Sequence, residues 1–132
     1  MPLKILLKPG ERVIIGGAVV RNGGHKAELL VENKVPILRQ KDIISFKEAD
    51  TICKKIYFVI QLMYMDEGNL AEHHQTYWTM VKELVRACPS VLGLIDRISE
   101  EILGGNYYQA LKWTRKLMEY EEEVLSRVSE PV

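Results

Sequence analysis

Residues 3–8 read Leu-Lys-Ile-Leu-Leu-Lys, so an extended chain turns Leu3, Ile5 and Leu7 one way and Lys4, Leu6 and Lys8 the other. Pro9-Gly10 ends this run with a turn. A second strand follows from Glu11 to Ile15, with Val13 and Ile15 inward and Arg12 outward. Gly16-Gly17 permits a tight reversal, because glycine tolerates positive φ. Ala18 to Arg21 reads as a third strand, and Asn22-Gly23-Gly24 is the strongest hairpin signal in the chain. Lys26 to Glu32 is a fourth strand with Ala27, Leu29 and Val31 inward, and Val35 to Arg39 a short fifth. Pro36 places that last strand at an edge or marks its start. Strands this short, joined by turns this tight, predict a small antiparallel meander, barrel or sandwich.

The period then changes. From Thr51 onward, Ile52, Ile56, Val59, Ile60 and Met63 recur at helical spacing, with Asp50 or Thr51 as N-cap. Asp66 to Asn69 breaks this helix. A second helix is predicted from about Leu70 to Ala87 on the stripe Tyr77, Met80, Val81, Leu84 and Val85, and Pro89 stops it. Ser90 is a candidate cap for a third helix through Leu92, Ile95, Ile98 and Ile102, which Gly104-Gly105 ends. Asn106 with Gln109 resembles a capping box opening a fourth, whose apolar positions include Tyr107, Leu111, Thr114, Leu117, Met118 and Leu125. The expected fold is α+β: a small antiparallel β module of about five strands over residues 1–47, then a hairpin or bundle of three to four helices over residues 48–132, packed on or beside it.

Charge sharpens this division. Residues 1–47 carry nine lysines and arginines against four acids, a net of +5; residues 48–132 carry nine against fourteen, a net of −5. The formal net charge of zero therefore hides a dipolar chain, and the basic part points to an anionic partner, with nucleic acid foremost. The 132 residues are enough to bury a core without disulfides or metal. The opening segment MPLKILLKPGE has an apolar run of only three residues, which predicts neither a signal peptide nor a membrane span, and hence a cytoplasmic protein. Cys53 and Cys88 stand alone without CxxC spacing and read as reduced, buried small hydrophobes.

Candidate catalytic chemistry is sparse. The paired glycines precede strands and lack the Lys-Ser/Thr of a phosphate loop. His73 and His74 are adjacent, so a helix turns them apart and they read as a solvated face rather than a metal site. Glu100-Glu101 and Glu121-Glu122-Glu123 read as helix-surface charge, and the aromatics of the helical half as core or a protein-binding surface. No catalytic residue, metal ligand or cofactor is expected. The β module offers Lys4 and Lys8 along strand one, Arg12 on strand two, Arg21 and Lys26 flanking the Asn-Gly-Gly turn, and Arg39 and Lys41 after strand five. Such cations attract phosphates, and arginine also stacks on or forks to unpaired bases. The competing reading is plain solubility and edge protection of a small sheet.

Three strings carry a family resemblance: LKPGERVIIGGAVVRNG (Leu7 to Gly23), IYFVIQLMYMD (Ile56 to Asp66) and NYYQALKWTRKL (Asn106 to Leu117). Together they resemble FlbT, a family of bacterial flagellar biosynthesis regulators, over nearly the whole chain. The resemblance implies a non-enzymatic, cytoplasmic, post-transcriptional regulator that associates with the 5′ untranslated region of flagellin mRNA and lowers its translation or lifetime, with an activating influence in some members. A small flagellar protein, FlaF, is the partner it implies, and the alternative reading is a module that binds FlaF or flagellin and affects mRNA only indirectly. The order of features in the β module is similar, more weakly, to CsrA, a small mRNA-binding repressor. That likeness places RNA contacts near Lys4 and near Arg39, with Gln40 the other register. It also leaves a homodimer open, although the helical extension, absent from CsrA, could block or replace that interface.

Overall fold

The computed structural model describes residues 3–129, and the chain divides into two compact units between Ile43 and Ile44. The first holds five strands: β1 (Leu3–Leu7), β2 (Arg12–Ile15), β3 (Ala18–Arg21), β4 (Ala27–Val31) and β5 (Ile37–Arg39). They form two antiparallel sheets, one of β1 and β4, the other in the order β3-β2-β5. Between the sheets lies a core of Ile5, Leu7 and Val13, with Ile15, Leu29, Val31 and Ile37 packed against it. The arrangement is a small sandwich, not a meander, because β1 pairs with β4 rather than with β2.

Two turns show how the pairing is chosen. Gly16 and Gly17 both take positive φ, 57° and 89°, as a two-residue hairpin turn with the twist of its strands requires. They join β2 to β3, with Ile15 opposite Ala18. Asn22-Gly23-Gly24 behaves differently from the hairpin expected there. Neither Gly23 nor Gly24 takes positive φ, and β3 and β4, on either side, belong to different sheets. The segment is a crossover between layers.

Burial also departs from simple alternation. Val13 is fully buried and Ile15 only half, while Ile14, on the opposite face, is buried opposite Leu38 of β5. β2 is the central strand of its sheet, and central strands lose the clean in-out pattern when both faces are covered. Leu3, on the same side of the strand as Ile5 and Leu7, lies at the strand start and is 52% exposed. Pro36 precedes β5, which is indeed an edge strand, and its carbonyl accepts a hydrogen bond from the Gly16 amide at 2.8 Å.

The second unit holds α1 (Ile52–Met65), α2 (Leu70–Ala87), α3 (Leu92–Leu103) and α4 (Tyr107–Ser129). α1 packs against α2 and α4, and α4 also packs against α3. The predicted stripes supply the core: Ile56, Ile60 and Met63 of α1, Tyr77, Val81 and Leu84 of α2, Ile95, Ile98 and Ile102 of α3, and Leu111 and Leu117 of α4. The side chain of Leu125, expected on the α4 stripe, lies outside the described residues.

The caps are mixed. Thr51 caps α1, its hydroxyl accepting from the Lys54 amide at 3.2 Å. Ser90 does not cap α3; it sits in a 3-10 turn, and its hydroxyl bonds Tyr120 at 2.7 Å and the Cys88 thiol at 3.2 Å. Glu121, expected as surface charge, instead serves the start of α1: one oxygen accepts from the Thr51 hydroxyl and the other from the Cys53 amide at 3.2 Å. A carboxylate there meets the positive end of the helix dipole. Buried Gln61 pairs with both the amide and the carbonyl of Ile44, at 2.9 and 3.0 Å.

Candidate nucleic-acid interface

The β1–β2 turn, the segment before β4 and the end of β5 converge on one depression in the β unit. Leu6, Leu7, Lys8, Glu11, Lys26, Arg39 and Lys41 line it, enclosing about 420 Å³. Four of the seven cations singled out in the sequence thus share one concave surface, with a single acid, Glu11, among them. Low-dielectric walls around charges of one sign concentrate their field on a ligand.

Backbone geometry holds the rim. The Asn22 amide nitrogen donates to the carbonyls of Leu7, Lys8 and His25 at 3.1, 3.2 and 2.6 Å, and its oxygen accepts from the Gly24 amide at 3.3 Å. Main-chain bonds between Gly10 and Asn22 (2.6 Å) and between Asn22 and Glu11 (2.9 Å) add to the clasp. Asn22 thereby ties the segment carrying Lys8 to the one carrying Lys26. Its side chain, which reads in sequence as a turn former, is a positioning group for the cations.

Arg39 is held in place. Its guanidinium donates to the Leu6 carbonyl at 2.6 Å and lies 3.6 Å from Glu11, whose other oxygen accepts from the Lys8 amide at 2.9 Å. Arg39, not Gln40, reaches the depression; the Gln40 side chain accepts from the Arg12 amide at 2.7 Å and closes the start of β2. Lys8 and Lys26 have no ion-pair partner among the described residues.

The other three predicted cations lie elsewhere. Arg12 and Arg21 stand directly opposite each other across β2 and β3, both exposed. Lys4 sits on the exposed face of the two-stranded sheet, 3.6 Å from Glu28 of β4. An exposed pair of this kind holds the lysine loosely against its own carboxylate. The predicted set is therefore one group of four, one opposed pair and one internally partnered lysine.

In the helical unit Lys54 and Arg115 share a depression with three acids, Glu119, Glu121 and Glu122. His73 and His74 are half-buried rather than solvated: His73 is 3.2 Å from Asp66, and His74 3.1 Å from the Tyr107 hydroxyl. Hydrogen bonding by Asn69, and then by His73, holds the Asp66 carboxyl below its ordinary value. Cys53 and Cys88 are free thiols; burial, reinforced by Glu121, pushes the Cys53 thiol up and away from reactivity. Among the described residues no three His, Cys, Asp or Glu side chains gather as a metal site, and no helix is long and apolar enough to cross a membrane.

Fold and site together define a class: a small α+β protein that combines a β sandwich bearing clustered cations with a helical unit. The chain belongs to the FlbT family: the family model for flagellar protein FlbT matches residues 3–125. It is 40% identical over 131 residues to the probable flagellum biosynthesis repressor protein FlbT of Caulobacter sp. (strain K31), covering 98% of this chain and 100% of the relative. The corresponding protein of Rhodopseudomonas palustris (strain TIE-1) is 41% identical over 127 residues, 96% of this chain and 100% of that one. The flagellum biosynthesis repressor protein FlbT of Caulobacter vibrioides (strain ATCC 19089 / CIP 103742 / CB 15) is 40% identical over 134 residues, covering 100% of this chain and 95% of its own length. No solved structure matches the chain.

Proposed function

We propose that this protein is a cytoplasmic, post-transcriptional regulator of flagellum biosynthesis whose β unit binds the 5′ untranslated region of flagellin mRNA. A bound leader blocks ribosome loading or exposes the transcript to nucleases, so the effect is repression. The relatives named as flagellum biosynthesis repressors support the regulatory role. The observation that carries the RNA reading is the meeting of Lys8, Lys26, Arg39 and Lys41 on one concave surface. Their charge suits phosphates, and half-exposed Leu6 on the wall of the depression suits the face of an unpaired base.

The test is titration of a flagellin leader RNA against the wild-type protein and a Lys8→Glu/Lys26→Glu variant at several salt concentrations. Neither lysine has an ion-pair partner among the described residues, so the substitutions leave the clasp intact. The expected result is weaker binding with a salt slope reduced by about 1.4, or ~0.7 per lost phosphate contact on a single strand. Unchanged affinity and slope would reject the depression as the site.

A second reading, a protein-interaction module, draws on α2. Trp78 is 40% exposed and lines a groove with Gln75, Thr79, Val81 and Lys82. A FlaF-like flagellar protein or flagellin would dock there, and any effect on mRNA would be indirect. Pull-down from cytosol with and without ribonuclease separates the two: recovery of flagellin transcript supports the first, and a ribonuclease-resistant protein partner without transcript the second.

A further inference from the structure

We infer that the RNA is held as a single strand that turns over one end of the three-stranded sheet, gripped by the depression on one face and by an Arg12–Arg21 phosphate clamp on the other. This rests on the RNA reading above and adds the conformation of the ligand and its path.

Arg12 and Arg21 are directly opposed, so their side chains leave the same face of the sheet. Like charges so opposed repel, yet no carboxylate pairs with either arginine among the described residues. A phosphate between two guanidiniums removes that repulsion and suits their planar donor forks. Arg12 is followed by Val13, which points to the opposite face, into the core between the sheets. Arg39 lies opposite Val13 on β5, and so shares that inner face. Its bond to the Leu6 carbonyl of β1 agrees with this placement.

The two cationic groups therefore lie on opposite faces of one sheet, at the same end. The Arg12–Arg21 and Val13–Arg39 pairs are consecutive along β2, one step of about 3.3 Å. A ligand touching both must reverse direction around the end of the sheet. A duplex is far too stiff: DNA keeps its direction over about 150 base pairs, and bending a short site through 90° is already costly. An unpaired strand turns freely and can also offer a base face to half-exposed Leu6.

The test compares a single-stranded leader fragment with the same fragment annealed to its complement, using full-length wild-type protein and an Arg12→Ser/Arg21→Ser variant. Binding is read by fluorescence anisotropy over a salt series. Annealing is expected to weaken wild-type binding about tenfold or more. The double variant is expected to lose about 1.4 from the single-strand salt slope. It should melt no lower than wild type, since a repulsion is removed. Equal affinity for strand and duplex, or an unchanged slope in a folded variant, overturns the path while leaving the depression as an RNA site. Wild-type protein that binds neither form overturns the RNA reading and the path with it.

Discussion

In the helical unit buried polar groups answer one another: Gln61 pairs with Ile44, Tyr77 bonds Ser99 at 2.9 Å, and Thr114 donates to the Ala110 carbonyl at 2.7 Å. In the β unit the polar side chains point the other way. Among the described residues Lys8, Lys26, Arg12 and Arg21 have no ion-pair partner, and Val19 on the edge strand β3 is 67% exposed. The helical unit satisfies its buried polar groups internally, while the β unit, beside its Asn22 and Arg39 contacts, leaves charges and a sheet edge turned to solvent. Residual charge held by a rigid clasp is a better guide to a ligand site than total charge, because solvated side chains that already have partners offer a ligand little.

Substitutions in the two units test this contrast. The largest effect is expected from Leu117→Ala, which opens a cavity at a fully buried position of α4. It should cost about 3 kcal/mol in chemical denaturation, and a loss under 1 would contradict a tightly packed helical core.

Tyr77 comes next. Burial, opposed by the Ser99 hydrogen bond, pushes its phenol up to about 12 from the usual 10. Between those values the folded protein keeps the proton that the unfolded chain has lost. Stability from this group is therefore intact below pH 10 and declines by about 2 kcal/mol as pH climbs through 12. Melting curves over pH 9–12 measure this, and Tyr77→Phe should flatten the dependence.

Asn22→Ala tests the other unit. It removes donors from three carbonyls near the surface, at a cost of about 1 kcal/mol. Hydrogen exchange should speed up at the Gly10 and Asn22 amides and stay unchanged in α1 and α4; a uniform acceleration would argue against a local clasp. The smallest effect belongs to Glu28→Gln. The exposed Lys4–Glu28 pair should contribute no more than about 0.5 kcal/mol, and that only at low salt. A larger loss would promote Lys4 from solubilising charge to structural residue.

Much of this was legible in consecutive residues. The bounds of α2 follow from the Tyr77, Val81 and Leu84 stripe and from Pro89 just beyond it. Gly16-Gly17 announced its own turn, because two adjacent positive φ values require glycine. Other positions misled for a physical reason. Ser90 has the composition of a cap, but Tyr120, distant in sequence, takes its hydroxyl. Glu121 looks like surface charge until α4 brings it to the start of α1. Asn22-Gly23-Gly24 has the residues of a hairpin, yet the Asn22 side-chain amide binds the distant carbonyls of Leu7 and Lys8 as well as that of nearby His25.

The grouping of the cations shows the same division between local and distant information. Lys8, Lys26, Arg39 and Lys41 were visible as basic residues, but their shared depression was not, nor the separation of Arg12 and Arg21 onto another face. The chain alone determined which segments are strands and helices, where the charge divides, and which turn needs glycine, because period, propensity and φ are properties of neighbouring residues. Tertiary structure decided that β1 pairs with β4, that β2 lies between β3 and β5, and hence which side chains meet. Those choices depend on burying apolar faces contributed by residues far apart in sequence, and no short stretch of the chain holds that information.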